Sequence, residues 1–221
     1  MSDRERNGRA KKGQVWRGAD GNGAARHGKV FITHSKGRKH MARYTVEITG
    51  VTPLLMNKPE EYGFDEKWVE KKASTDWEKQ AYRKLYCDKD GNPYQPSTHI
   101  EQALIDAGKK LQIKGQRKAT YSKLFGSMIT VEPEAIPHLV TKFEIHKALV
   151  VMPATKGRVV RFRPKFNDWK LRFSIISEDE IPGAVIKEAL EIAGKFSGIG
   201  DWRPQKKGKF GKFQVTHFEK E

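Results

Sequence analysis

From Ala42 onward polar and apolar residues alternate: Tyr44, Val46 and Ile48 are separated by Thr45, Glu47 and Thr49, and Gly50 ends the run. A period of two sends successive side chains to opposite faces, so a half-buried strand is expected there. Over residues 97–111 the period changes. Ile100, Ala103, Leu104, Ala107 and Leu111 fall on one helical face, and Ser97 or Thr98 followed by Glu101 has the spacing of a capping box. Strand-like runs at 139–151 and 158–163 flank a turn at Pro153–Gly157, and Trp169, Leu171, Phe173 and Ile175 then alternate with Lys170, Arg172 and Ser174. Ser177 with Glu180 predicts the cap of a second helix with Pro182 in its first turn, and Ile181, Val185, Ala189, Ile192 and Ala193 recur at helical spacing. Gly198 and Gly200 stop it. In the last run Phe213, Val215 and His217 are expected on one face, and Gln214, Thr216 and Phe218 on the other.

Strand, helix, strand, strand, helix, strand is the order of an α+β, ferredoxin-like or RRM-like (split βαβ) fold, with two helices backing one face of a sheet. The hairpin at 139–163 extends it. Residues 58–83 are charged and read as an insertion with one helix around Thr75 to Lys84, and CDKDGNPY supplies an Asp-Gly turn before the first core helix. These boundaries give a basic N-terminal arm at 1–41 and one domain at 42–221.

Charge narrows the function. The 221 residues carry 43 Lys and Arg against 27 Asp and Glu, a formal +16, which would be self-repelling without a polyanionic partner. Residues 1–43 alone hold twelve Lys and Arg against three acids, with Val30, Phe31 and Ile32 as their one compact apolar cluster. Such an arm buries too little apolar surface to offset its ordering entropy and is expected to order against a partner. The longest apolar run, Ala148 to Met152, is far short of the roughly 20 residues of a membrane helix, so no membrane partner is expected. No secretory signal pattern follows the N-terminus, and Cys87 is the single cysteine, which together lead us to expect a cytoplasmic protein with no disulfide.

The stretch GIGDWRPQKKGKFGKF, residues 198–213, combines Gly198, Gly200, Gly208 and Gly211 with Arg203, Lys206, Lys207, Lys209 and Lys212. Glycines allow a backbone to approach phosphates and aim N–H groups at them, and the cations neutralise charge. Trp202 and Phe210 are candidates for stacking on bases. A second basic element, KGRVVRFRPKF, interleaves Arg158, Arg161, Arg163 and Lys165 with apolar residues; alternation puts Arg161 and Arg163 on one strand face. Lys36, Arg38, Lys39 and Arg43 add charge where arm and domain meet. The start of the first core helix, at Ser97 and Thr98, is also a potential anion site. Each of these has a plainer reading, as a solvated loop, an outer strand face or a helix cap. His27, His34 and His40 lack metal-ligand spacing, no phosphate-loop or hydrolase motif is present, and neither metal nor cofactor is expected.

Three stretches, TVEITGVTPLLMNKP, DKDGNPYQPSTHIEQALIDAGKKL and GIGDWRPQKKGKFGKFQV, together resemble the RAMP superfamily, the RRM-like backbone proteins of class 1 CRISPR effector complexes. The resemblance covers residues 42–56, 84–112 and 160–218, leaving out the arm and the insertion. Those departures suit a stand-alone or virus-encoded relative as well as an effector subunit. It implies a protein that holds a guide RNA by its phosphates, in several copies along the strand, and presents the bases to a complementary target RNA or single-stranded DNA. The glycine-rich loop and the Ser97–Thr98 region would contact the guide. It also implies two further possibilities: an endoribonuclease of the same superfamily using His99, or metal-dependent target cutting by a loop aspartate such as Asp65, Asp88 or Asp90. Outside the superfamily, a non-catalytic packaging or ribosome-associated protein would need only the basic arm.

Overall fold

The computed structural model describes residues 41–59, 63, 65–116, 118–152, 154–178 and 181–221. The arm, with Lys36, Arg38 and Lys39, lies outside them, as does Glu180. In chain order the elements are β1 (Met41–Gly50), β2 (Leu54–Leu55), α1 (Glu66–Lys72), α2 (Asp76–Arg83), β3 (Tyr94–Pro96), α3 (Ser97–Gly108), α4 (Ser122–Met128), β4 (Ile129–Glu132) and β5 (Ala135–Pro137). There follow β6 (Glu144–Val151), β7 (Arg158–Phe166), β8 (Lys170–Glu178), α5 (Gly183–Ile192) with a π-turn at Ala193–Ser197, and β9 (Phe213–Lys220). Among these described residues no helix is long and apolar enough to cross a membrane.

The central sheet has the order β4-β8-β1-β9 with every pair antiparallel. Together with α3 after β1 and α5 after β8, that order is the ferredoxin-like, RRM-like arrangement expected from the sequence. Alternation explains its core. Tyr44, Val46 and Ile48 of β1 and Leu171, Phe173 and Ile175 of β8 all point to one side, where they are buried with Ile100 and Leu104 of α3 and Ile186 and Leu190 of α5. A fully buried Trp169 closes one end, its Nε1 donating to the Thr52 carbonyl at 2.8 Å.

Several local expectations are corrected. The second strand of the core is β4, directly after α4, and its Val131 amide donates to Glu101 Oε1 at 3.0 Å. Glu101 therefore does not close a capping box. Pro96 occupies the N-cap position of α3, and Ser97 is buried with its amide donating to the Glu134 carbonyl. The hairpin β6-β7 joins β2 in a separate sheet of order β2-β7-β6. Ser177 belongs to β8, where it is fully buried, and α5 starts only after Pro182. In β9 a bulge at Thr216 pairs Val215 with Ile48 but His217 with Glu47. Phe213, Val215 and Phe218 thus reach the core side and His217 the open side, because one extra residue reverses the alternation. The 58–83 segment forms two helices. Glu78 Oε2 accepts from the Thr75 amide at 3.1 Å at the start of α2, and Gln80 Oε1 accepts from the Phe162 amide at 3.0 Å, tying α2 to β7.

His138 sits under this frame, 5% exposed and stacked on Phe166 with ring centroids 4.7 Å apart. Neither ring nitrogen has a partner among the described residues. Burial pushes its pKa down to about 4 from 6.5. A depressed histidine pKa means that the unfolded chain binds the proton more strongly. Stability from the neutral ring is therefore complete above pH 6.5 and falls as pH drops toward 4, by about 2–3 kcal/mol at pH 4.5. The His138→Leu variant should lose that part of the fall. Urea unfolding at pH 7.5 and 4.5 tests this, and equal pH dependence in the two proteins would mean that His138 is not held neutral.

Candidate nucleic-acid interface

The segment 198–212 is a closed, hydrogen-bonded loop. The Ile199 amide donates to the Gly211 carbonyl at 3.0 Å, and the Gly211 amide to Pro53 at 2.8 Å. Gly208 donates to the Arg203 carbonyl at 3.0 Å, Phe210 to Trp202 at 3.2 Å and Asp201 to Leu55 at 2.8 Å. These five amides are bonded to carbonyls of the loop itself or of Pro53 and Leu55, and so are not among the N–H groups that could be aimed at phosphate. Close approach is what requires glycine here. A Cβ on Gly208 would lie 1.7 Å from the Trp202 carbonyl oxygen, and one on Gly211, at φ +71°, 1.8 Å from that of Ile199.

Side chains fasten the loop to α3 and β7 and brace it from within. Gln205 Nε2 donates to Asp106 Oδ2 on α3, and Lys109 holds the other oxygen of Asp106 at 2.7 Å. Asp201 Oδ2 meets Arg163 Nη1 of β7 at 2.8 Å, an ion-pair contact outside good hydrogen-bonding angles. Arg203 bends back, with Nη1 donating to the Gly200 carbonyl at 3.1 Å and Nε to Gln205 Oε1 at 3.0 Å.

What the loop presents outward is cationic and aromatic. Lys206, Lys207 and Lys209 are exposed, and no acid partner is found for them among the described residues. Trp202 is 44% exposed, while Phe210 is buried between it and His146. Of the two aromatic candidates, only Trp202 offers a face to a base. Lys212 is half-buried beside Thr52, whose Oγ1 accepts from its amide at 2.9 Å. Trp202 and Lys206 form one wall of a 370 Å³ cleft whose other wall is β6, with Leu149 and Val151 exposed on it.

The sequence-derived candidates on β7 separate. Arg161 and Arg163 share a face, opposite Ala148 and His146, whereas Arg158 falls on the other face, opposite Val151. Arg163 is taken by Asp201 and Lys165 by Glu144 at 3.1 Å; Arg161 touches Met152 Sδ at 3.6 Å. Gly198, at φ +65°, ends the π-turn, and Gly200 packs against Leu54 and the Leu55 carbonyl. At the start of α3 Thr98 is exposed, but Ser97 is not.

The open face of the central sheet is different. Glu47 is covered by its own partners: Lys170 Nζ at 2.6 Å and Arg172 Nη2 at 2.8 Å. Their hydrogen bonds, that from Lys170 the larger influence, lower its pKa to about 2. Arg43 pairs with Glu132 at 2.9 Å. This face carries no Phe, Tyr or Trp among its described residues, and its arginines and lysine have acid partners.

His99 lies behind the loop. Its Nδ1 is engaged by Gln95 Nε2, and Tyr86 packs edge-on with centroids 5.6 Å apart. Burial, with a smaller effect from the Arg203 charge, lowers its pKa to about 4. Asp88 organises its own turn, one oxygen accepting from the amides of Asp90 and Asn92 at 2.9 and 2.8 Å, and Asp65 caps α1 through the Trp68 amide. Gln95, Asp106, Asp201 and Gln205 belong to the site without any motif that marks them. Their roles arise from tertiary contacts such as Gln205 to Asp106, which joins residues 99 positions apart.

No family model matches the chain, and no curated protein matches it. Solved structures do. A chain of the "Cryo-EM structure of the Type III-B Cmr-beta bound to cognate target RNA" has a TM-score of 0.53 and 14% identity, over 81% of this chain and 60% of that one. A chain of the "Type IV-B CRISPR Complex" has a TM-score of 0.42 and 10% identity, over 79% and 89%. The chain spans 60% of the length of the first. At such identity the first likeness concerns the fold alone, and the second is too weak to argue from. The α+β core built from β1, α3, β4, β8, α5 and β9 is thus a fold shared with a chain of a Type III-B Cmr-beta structure.

Proposed function

We propose that this chain is a RAMP-type, CRISPR-associated backbone protein that holds a guide RNA along its phosphates. The observation that carries this reading is the asymmetry of its cations. Lys206, Lys207 and Lys209 stand exposed beside Trp202 with no acid partner among the described residues, on a loop fastened to α3, β2 and β7. On the open sheet face, by contrast, Arg43, Lys170 and Arg172 each have an acid partner, Lys170 and Arg172 sharing Glu47. Unpaired cations release counterions when they meet a polyanion, and an exposed indole stacks on a base of any identity. Such a surface grips a single strand without reading it, which leaves sequence choice to base pairing between the guide and a complementary target RNA or single-stranded DNA. Several copies along one RNA, in the cytoplasm, with no cofactor, complete the proposal. His99 enters as a contact residue: its Nδ1 is occupied and it is neutral at physiological pH, which suits binding better than proton transfer.

Purified protein should retain one discrete class of small RNA, identified by sequencing the bound nucleic acid, and should prefer single-stranded RNA to duplex DNA of the same length in competition. Equal retention of duplex DNA and unrelated RNA would point instead to packaging.

A further inference from the structure

In the π-turn that follows α5, Phe196 is 56% exposed while Ser197 beside it is buried. The hydrophobic effect favours the reverse arrangement, so an aromatic ring turned out next to a hydroxyl turned in points to a partner outside the fold. Lys110, just beyond the end of α3, places its Nζ 3.7 Å from the centroid of that ring. The cation covers one face of the phenyl group. Its exposed remainder is open to a second planar group.

The surface around Phe196 is continuous with the loop. The π-turn packs against α3 and against a short 3-10 turn at Pro204–Lys206, and a Cβ on Gly198 would lie 2.7 Å from Pro204 Cδ. Gln205 reaches Asp106, one helical turn before Lys110. Lys110, Lys195, Lys206 and Lys207 are exposed, and none has an acid partner among the described residues. Lys109 is the exception, held by Asp106 at 2.7 Å. Glu188 and Glu191 of α5 form no ion pair with these lysines among the described residues. Like charges gathered on one side of a domain repel one another until a polyanion relieves them. An open ring among unpaired ammonium groups repeats the chemistry of Trp202 and its lysines. It suits phosphates interspersed with planar bases, whereas the carboxylates of an acidic protein would leave the ring without a partner.

We propose that the RNA strand continues from the loop over the end of α3 and the π-turn, with phosphates at Lys110 and Lys195 and one base stacked on the free face of Phe196. This inference rests on the reading that the loop holds RNA, and adds the direction in which the strand leaves it. The path runs toward the helices and away from the open sheet face, whose cations have acid partners.

Titration of the full chain with two oligouridylates tests it, one of about 4 nucleotides, which the loop alone can occupy, and one of about 12, long enough to reach the π-turn. Reversing Lys110 and Lys195 to Glu together should weaken binding of the longer RNA about tenfold at about 0.1 M salt and flatten its salt slope by about 1.4, with a change of no more than about twofold for the shorter one. Phe196→Leu keeps an apolar side chain but has no ring to stack; it should weaken the longer RNA about fivefold with the slope unaltered. All three side chains are exposed, so the melting temperatures should stay in place. Equal losses on both RNAs would mean that the lysines act only through the overall field of the protein, and would overturn the path. So would unchanged binding of the longer RNA by the reversed variant; loss of binding to a polyglutamate peptide in its place would assign the patch to an acidic protein. If reversal of Lys206 and Lys207 still weakens both RNAs, the loop reading survives that failure. If the wild-type protein binds neither RNA, both readings fall.

Discussion

Reversing Lys206 and Lys207 to Glu together is expected to weaken binding of single-stranded RNA by about 25-fold or more at about 0.1 M salt. Each phosphate neutralised on a single strand contributes roughly 0.7 to the slope of log affinity against log salt, so two lost contacts flatten the slope by about 1.4. Reversal adds repulsion on top. Both side chains are exposed and lack an acid partner among the described residues, so the melting temperature should barely move. That combination separates a binding surface from a structural one. Titrations at several salt concentrations, read with the melting curve, provide the check; an unchanged slope would reduce the loop to a connection between α5 and β9.

Gly211→Ala should destabilise the domain by about 4 kcal/mol, near the upper end of what single substitutions do. Two effects coincide there. The backbone is left-handed at φ +71°, and a Cβ would lie 1.8 Å from the Ile199 carbonyl oxygen. Relief by movement is blocked, because the Gly211 amide is bonded to Pro53 and its carbonyl to Ile199. Gly115 provides the comparison, with φ +79° and nothing within 4 Å of the place an added methyl group would take. Gly115→Ala should therefore cost only the left-handed strain, about 1 kcal/mol. Urea midpoints of the two variants measure the difference; a Gly211 variant no less stable than the Gly115 one would show that the loop yields to accommodate the methyl group.

The elements legible in the sequence are those with many apolar residues in one clean period. β1, β8 and α3 each place their buried side chains where alternation or helical spacing puts them, and the strand-helix order then defines the topology. β4 escapes because Ile129 and Val131 are too few to establish a period, and no turn separates them from α4. The bulge at Thr216 leaves no mark in composition, since the reversal arises from pairing with β1. The caps of α3 and α5 differ from expectation for a shared reason: Ser97 and Ser177 have the right chemistry, but tertiary packing buries both.

At the site, the number of cations is legible and their state is not. Lys206 and Arg163 look equivalent along the chain; only the fold brings Asp201 to Arg163 and leaves Lys206 without such a neighbour among the described residues. The glycines likewise indicate tight geometry but not its purpose, because the carbonyls that crowd Gly208 and Gly211 belong to Trp202 and Ile199 across the loop.

The internal bonding of residues 198–212 also bears on the thermodynamics of the proposed capture. A segment already fixed by its own hydrogen bonds surrenders little conformational entropy when a partner arrives. Under the proposed function, association would then be governed by liberated ions and a stacked ring, with a modest heat-capacity change, and one RNA would replace another without any refolding of the protein.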